Sequence, residues 1–154
     1  TILGGETVIG RGATINGMRY TDTQLNASQV NSLVATNIDL VAAPGAGLAV
    51  YPTAVHMFLD HGGTDFVQDA ADDHLAIKYK ASNEIAELGS EGQCTTLLEA
   101  GADAALVAPI TSAFVPEANT AISLDNNGDA EYATGDGTLS VRVYYYVLPM
   151  AAFT

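Results

Sequence analysis

Three histidines and a run of acids lie close together along the chain: His56, His61 and His74, with Asp60, Asp65, Asp69, Asp72 and Asp73 among them. Imidazole nitrogens and carboxylate oxygens are the donors of a zinc site, but such a site needs three or four of them converging on a tetrahedron. No spacing such as His-Glu-x-x-His occurs here, so the stretch reads as a solvated acidic loop. Asp125, Asn127, Asp129 and Glu131 alternate like calcium ligands, yet Gly128 stands at the fourth position where an EF-hand needs glycine at the sixth, and the distal acid is missing. A hairpin tip is the simpler reading. Cys94 with one of the histidines is the only nucleophile arrangement on offer. Glu91-Gly92-Gln93-Cys94-Thr95 matches no nucleophile turn, and a free cysteine is most often a small buried hydrophobe. The acid pairs Glu84 with Glu87 and Asp72 with Asp73 say nothing about glycoside hydrolysis in so acidic a chain. Pro44-Gly45-Ala46-Gly47 lacks both the Lys-Ser/Thr ending of a P-loop and the dinucleotide fingerprint, and reads as a turn. The chain is expected to be non-enzymatic, with no catalytic residue, cofactor or metal.

The formal charge of -13, from 18 acids against five basic residues, argues against phosphate backbones as partners, because counterion release on nucleic acid needs Lys and Arg. Apolar residues make up 48% of the chain but come in short runs, never the roughly 18 in a row of a membrane span. Neither nucleic acid nor membrane is an expected partner. One cysteine permits no internal disulfide, no secretory signal is expected, and both fit assembly in a reducing cytoplasm. A length of 154 residues suits one domain with one core.

The elements that must position any functional surface are mostly strands. Residues 1–24 carry many glycines and scattered apolar side chains and read as an extended N-terminal arm, outside a single β-rich domain at 25–154. Val8, Ile9, Ile15, Met18 and Tyr20 would make sense on such an arm as contacts to a neighbouring subunit. Leu25 to Val34 begins like a short helix, with Asn26 as N-cap, Gln29 as its capping-box partner, and Leu25 with Val30 as a hydrophobic staple. Strand alternation follows at 38–43, at 48–60 with Pro52 marking a bulge, an edge or a break, at 75–80, and at 120–125. A bulged or edge strand is expected near 105–111, and Lys78 and Lys80 read as edge or surface protection. Segments 84–88 and 95–100 fit strand or helix equally.

The last strand has the clearest period of two. Leu139, Val141, Val143, Tyr145 and Val147 point to one side, and Ser140, Arg142, Tyr144 and Tyr146 to the other. The first set is core, and the strand is expected in the middle of a sheet. Arg142, Tyr144 and Tyr146 form a candidate interface row, since Tyr and Arg are enriched where surfaces bury; the alternative is a second layer of the same subunit over them. Short strands between turn signals predict an all-β fold, an antiparallel β-sandwich or barrel, jelly-roll-like, with one short helix.

Three stretches, 25–47, 51–59 and 132–147, together resemble the capsid decoration, or cement, proteins of tailed bacteriophages. The resemblance implies a virion structural protein that binds the outside of an expanded capsid shell and clamps neighbouring major capsid subunits. It implies a protein made in the host cytoplasm and carried on the capsid exterior, partnered by the major capsid protein and by copies of itself, as a trimer by preference or a dimer. A phage tail or head-fibre module recognising a host-surface ligand is the alternative, and it would show an aromatic-lined pocket near Tyr144 and Tyr146.

Overall fold

A computed structural model of the chain describes residues 17–67, 75–80, 84–87, 97–108, 110, 114–126, 128 and 130–153. The elements in order are β1 (Arg19–Leu25), α1 (Ala27–Val30), β2 (Ile38–Val41), β3 (Leu48–Asp60), β4 (Phe66–Val67), β5 (Leu75–Tyr79), β6 (Glu84–Glu87), β7 (Ala104–Ala108), β8 (Ile122–Asn126), β9 (Ala133–Thr134) and β10 (Thr138–Pro149), closed by a 3-10 turn at Met150–Phe153. One four-stranded sheet runs β1-β10-β3-β7, a second runs β2-β8-β5-β6, and β4 pairs with β9 in a small ladder of their own.

Apart from that small ladder, the strands pair first with last, second with seventh, third with sixth and fourth with fifth, all antiparallel. The chain is thus one long hairpin with its tip at β5 and β6. The further ladders β3 with β10 and β5 with β8 roll that hairpin into two facing sheets. This is the double-sheet jelly roll, an open sandwich rather than a closed barrel.

Alternation explains what lies between the sheets. Leu139, Val141 and Val143 of β10, Val55, Met57 and Leu59 of β3, and Leu75, Ile77 and Tyr79 of β5 are buried together, with Leu25, Val30 and Leu33 in the same cluster. Tyr145 is nearly buried and Val147 is half-buried against the same core. Side-chain hydrogen bonds also link the sheets: the Thr21 hydroxyl donates to the Leu40 carbonyl at 2.9 Å, and the Tyr79 hydroxyl donates to the Val50 carbonyl. Burial pushes the Tyr79 phenol up to about 12, because the low-dielectric interior disfavours a phenolate.

The helix start is as its sequence predicts. Asn26 Oδ1 accepts from the Gln29 amide and Gln29 Oε1 accepts from the Asn26 amide, both at 3.0 Å. α1 itself is only one turn long, continuing as turns towards Ala35. Pro52 lies beside the irregularity in the β3–β10 ladder, where Tyr144 faces Ala54 but Tyr145 faces Pro52, leaving Thr53 bulged. Among the described residues β7 covers only Val55 to Leu59, so the proline sits where β3 has β10 alone as a strand neighbour and a missing N–H breaks no second ladder. Of the two undecided segments, 84–87 is strand β6 and Leu97-Leu98 is a buried helical turn.

Two expectations change. The boundary at residue 24 does not separate arm from body, because Arg19 to Leu25 is strand β1, paired residue by residue with β10. The seven-residue ladder with β10 holds this segment as strand, and Tyr20, Thr21 and Thr23 suit a pleated surface, despite the glycines upstream. Nor do Lys78 and Lys80 protect an edge: β5 is flanked on both sides, by β8 and β6. Lys78 pairs with Asp125, and Lys80 holds both oxygens of Asp39 at 3.0 and 3.1 Å.

Candidate functional site

β10 carries its outward residues to the middle of the first sheet, where the ladders give each one a neighbour on either side. Three rows cross that face: Tyr20, Tyr144 and Ala54; then Asp22, Arg142, His56 and Val107; then Gln24, Ser140, Phe58 and Ala105. These residues come from strand positions of the polar parity, opposite the buried Val55, Met57, Leu139, Val141 and Val143.

Arg142 is the centre of the arrangement. Its Nε and Nη2 donate to the two carboxylate oxygens of Asp22 at 2.6 and 2.9 Å, a bidentate fork, while its guanidinium carbon lies 4.8 Å from the centroid of the Tyr20 ring. The hydrogen bond to Asp22 raises the Arg142 pKa above its already high ordinary value, and the Tyr144 side chain adds to that direction. Tyr144 stands between two rings, 6.1 Å from Tyr20 and 5.4 Å from His56 in an edge-on contact. The bulged Thr53 donates its hydroxyl to the Tyr144 carbonyl at 3.2 Å and lies 3.9 Å from the sulfur of Met18.

A shallow trough of about 880 Å³ runs along this face, lined among others by Tyr20, Asp22, Gln24, His56, Phe58 and Arg142. Phe58 is 45% exposed and Val107 57%, so the side of the trough towards β7 is apolar and uncovered by any described residue to that extent. The side towards β1 is polar but uncharged on balance, since Asp22 and Arg142 neutralise each other. Such a face offers shape, stacking and hydrogen bonds rather than chemistry.

The sequence-derived interface residues separate into groups. Met18, Tyr20, Arg142 and Tyr144 come together on this face, with Tyr144 half-buried by its own neighbours. Tyr146 lies past the bulge opposite Tyr51, with Gly17 near its ring. Val8, Ile9 and Ile15 lie outside the described residues. Asp22, His56, Phe58 and Val107 join the face without having been singled out for it. His56 and Phe58 alternate with the buried positions of β3, and that alternation marks them as outward; Asp22 becomes legible only when β1 is known to be a strand.

The other candidates disperse. His61 Nε2 bonds Asp65 Oδ1 at 2.8 Å, while the His61 amide donates to Asp103 at 3.0 Å. Asp125 is engaged by Lys78, and the Glu131 carboxylate accepts the amides of Val34 and Ala35 at 2.8 and 2.7 Å, so these two acids serve different partners. His74, Asp69, Asp72, Asp73, Cys94, Asn127 and Asp129 lie outside the described residues. Among the described residues no three His, Cys, Asp or Glu side chains gather as metal ligands, and no helix is long and apolar enough to cross a membrane.

No protein-family model and no curated protein matches the chain. Among solved structures it is similar to a chain of the cyanophage Pam1 capsid asymmetric unit, at TM-score 0.50 and 18% identity over 84% of this chain and 82% of that one. It is also similar to a chain of the acidic stable capsid of Helicobacter pylori bacteriophage KHP30, at TM-score 0.48 and 9% identity over 85% and 90%. At such identities the likeness to the cyanophage chain establishes a shared fold.

Proposed function

We propose that this chain is a non-enzymatic virion structural protein that binds the outer surface of a phage capsid and stabilises contacts between major capsid proteins. The observation that carries the reading is the composition of the β1-β10-β3-β7 face. It concentrates Tyr20, Tyr144, His56, Phe58 and a neutralised Arg142–Asp22 pair on a body of formal charge -13. Aromatic and Arg side chains are the types enriched at protein interfaces, and a charge-balanced patch on an acidic body is where approach of another acidic surface costs least. The fold shared with a chain from a cyanophage capsid asymmetric unit supports the same reading.

Modest contacts become effective on a symmetric shell because each bound copy presents several of them at once. The test is add-back of purified protein to expanded capsids that lack it, followed by co-sedimentation. Wild type should bind and raise the temperature of shell rupture. The double variant Arg142→Glu, Tyr144→Ala should stay folded and fail to bind; full binding by it would contradict the role of this face.

The trough itself favours a second reading, a module recognising a host-surface ligand, because Phe58 lies open beside hydrogen-bonding Asp22, Gln24 and Arg142. That reading requires a rise in melting temperature with host-surface extracts and no affinity for capsids.

A further inference from the structure

The second sheet carries two lysine–aspartate pairs in unlike surroundings. Lys80 of β5 meets Asp39 in water: their side chains are 52% and 46% exposed, and the ammonium holds both carboxylate oxygens at 3.0 and 3.1 Å. Lys78 of the same strand lies with Nζ against Asp125 Oδ2 of β8, and these side chains are 21% and 12% exposed. The ladder explains the reach. Lys78 faces Ser123 and Ala76 faces Asp125, so the pair are diagonal neighbours on adjacent antiparallel strands, a span that suits a lysine stem. They stand on the face opposite Leu75, Ile77 and Tyr79, yet Ala76 and Ser123 beside them are fully buried. This part of the outer face is largely closed to water.

We propose that Lys78 and Asp125 condense into an isopeptide bond that joins β5 to β8. Holding two full charges out of water is costly, and a proton passing from the ammonium to the carboxylate leaves a neutral amine beside a neutral carboxylic acid. A desolvated lysine amine is a nucleophile. Its nitrogen attacks Asp125 Cγ: the Nζ–Cγ bond forms, the C–OH bond breaks, and the hydroxyl leaves with a proton from the nitrogen as one water. Nothing is oxidised or reduced, and no co-reactant is needed. Ser123 adds a donor, because its Oγ is buried with no hydrogen-bond partner among the described residues, across the ladder from Lys78, where an O–H can steady the oxygen of the tetrahedral intermediate. Proximity supplies the rest, since an amine and a carboxyl held in contact by paired strands react at effective concentrations far above those of free groups.

The bond joins the two inner strands of the second sheet, β8 and β5 in the order β2-β8-β5-β6. One cysteine permits no internal disulfide, whereas an amide is indifferent to the redox state of its surroundings. Such a tie constrains the unfolded chain and keeps β5 on β8 when the ladder between them opens. The other pairs cannot follow. Lys80 and Asp39 stay hydrated and ionic, and the Arg142 guanidinium beside Asp22 keeps its charge and is no nucleophile.

The intact mass of the purified full-length protein, denatured and reduced, reads the bond directly. Wild type should weigh one water less than its sequence, and proteolysis should release a branched peptide joining residue 78 to residue 125. Lys78→Arg keeps a cation for Asp125 but cannot condense, so it should fold, show the full sequence mass and melt at a lower temperature than wild type. Asp125→Ala should also show the full sequence mass, a reading that needs no stable fold, while Lys80→Arg should still lack the water. Wild type at its full sequence mass after prolonged incubation in the folded state would overturn the proposal. So would a loss of water that survives Lys78→Arg or Asp125→Ala, as cyclisation at Asp136-Gly137 produces. The bond is independent of capsid attachment, and its mass is read without a particle.

Discussion

Arg142 is held from two sides, by the Asp22 carboxylate and by the face of Tyr20, and this fixes where its charge sits without burying it. An exposed ion pair of this kind contributes less than about 1 kcal/mol to folding. Asp22→Asn and Arg142→Ala should therefore shift chemical denaturation by no more than that, while lowering capsid affinity in the add-back assay. Tyr79 is the opposite case, a buried hydroxyl whose proton is needed to bond the Val50 carbonyl. Its pKa is raised from 10.0 to about 12, so between those values the unfolded chain loses this proton while the folded chain keeps it. The stability it contributes is complete below pH 10 and is lost as pH rises towards 12, an amount on the order of 2–3 kcal/mol. Tyr79→Phe should cost about 1–3 kcal/mol at neutral pH by stranding the Val50 carbonyl, and it should flatten the stability curve between pH 10 and 12 relative to wild type. Denaturant titrations of both proteins across that range check the sign. At this scale the sequence was partly legible. The burial of Leu139, Val141 and Val143 follows from alternation alone, whereas the Asp22–Arg142 pair, 120 residues apart in the chain, is created by ladder register and has no local signature. His56 illustrates the same limit: in the sequence it groups with His61 and His74, but register sets it against Tyr144.

Among the elements, the capping box at Asn26 was readable because it depends on residues a few positions apart, while Pro52 announced a bulge, an edge or a break and only the ladder with β10 selects the bulge. β1 was not readable. Its strand character comes from pairing with β10 at the far end of the chain, and the glycines just before it suggested an arm that would include it. This changes what truncation should do. Removing residues 1–16 leaves β1 whole. Removing residues 1–24 should lower it sharply or abolish folding, because it strips an edge strand from the first sheet, exposes the buried inner side of β10 and takes away the Thr21 hydrogen bond to Leu40. If capsid binding depends on Val8, Ile9 and Ile15, the shorter deletion is the one that isolates their role, read by calorimetry and co-sedimentation on the same preparation. Equal melting temperatures for the two deletions would contradict the place of β1 in the sheet.

For the whole molecule, an all-β sandwich with one short helix was legible in the spacing of strands and turns, and rolling one long hairpin into two sheets accounts for the strand order that spacing leaves open. The acidic composition acts at this scale as well: carboxylates dominate the chain, but the first sheet's outer rows are charge-balanced, so the surface suited to contact is the one where the general repulsion is lowest. The central claim is attachment to the outside of a capsid through the β1-β10-β3-β7 face, and image reconstruction of purified particles carrying the protein tests it most directly. The account predicts jelly-roll density on the exterior of the shell, in numbers proportionate to the major capsid protein, with Arg142 and Tyr144 turned towards the shell. Density confined to a single tail vertex, or copies seated with that face pointing into solvent, would contradict it.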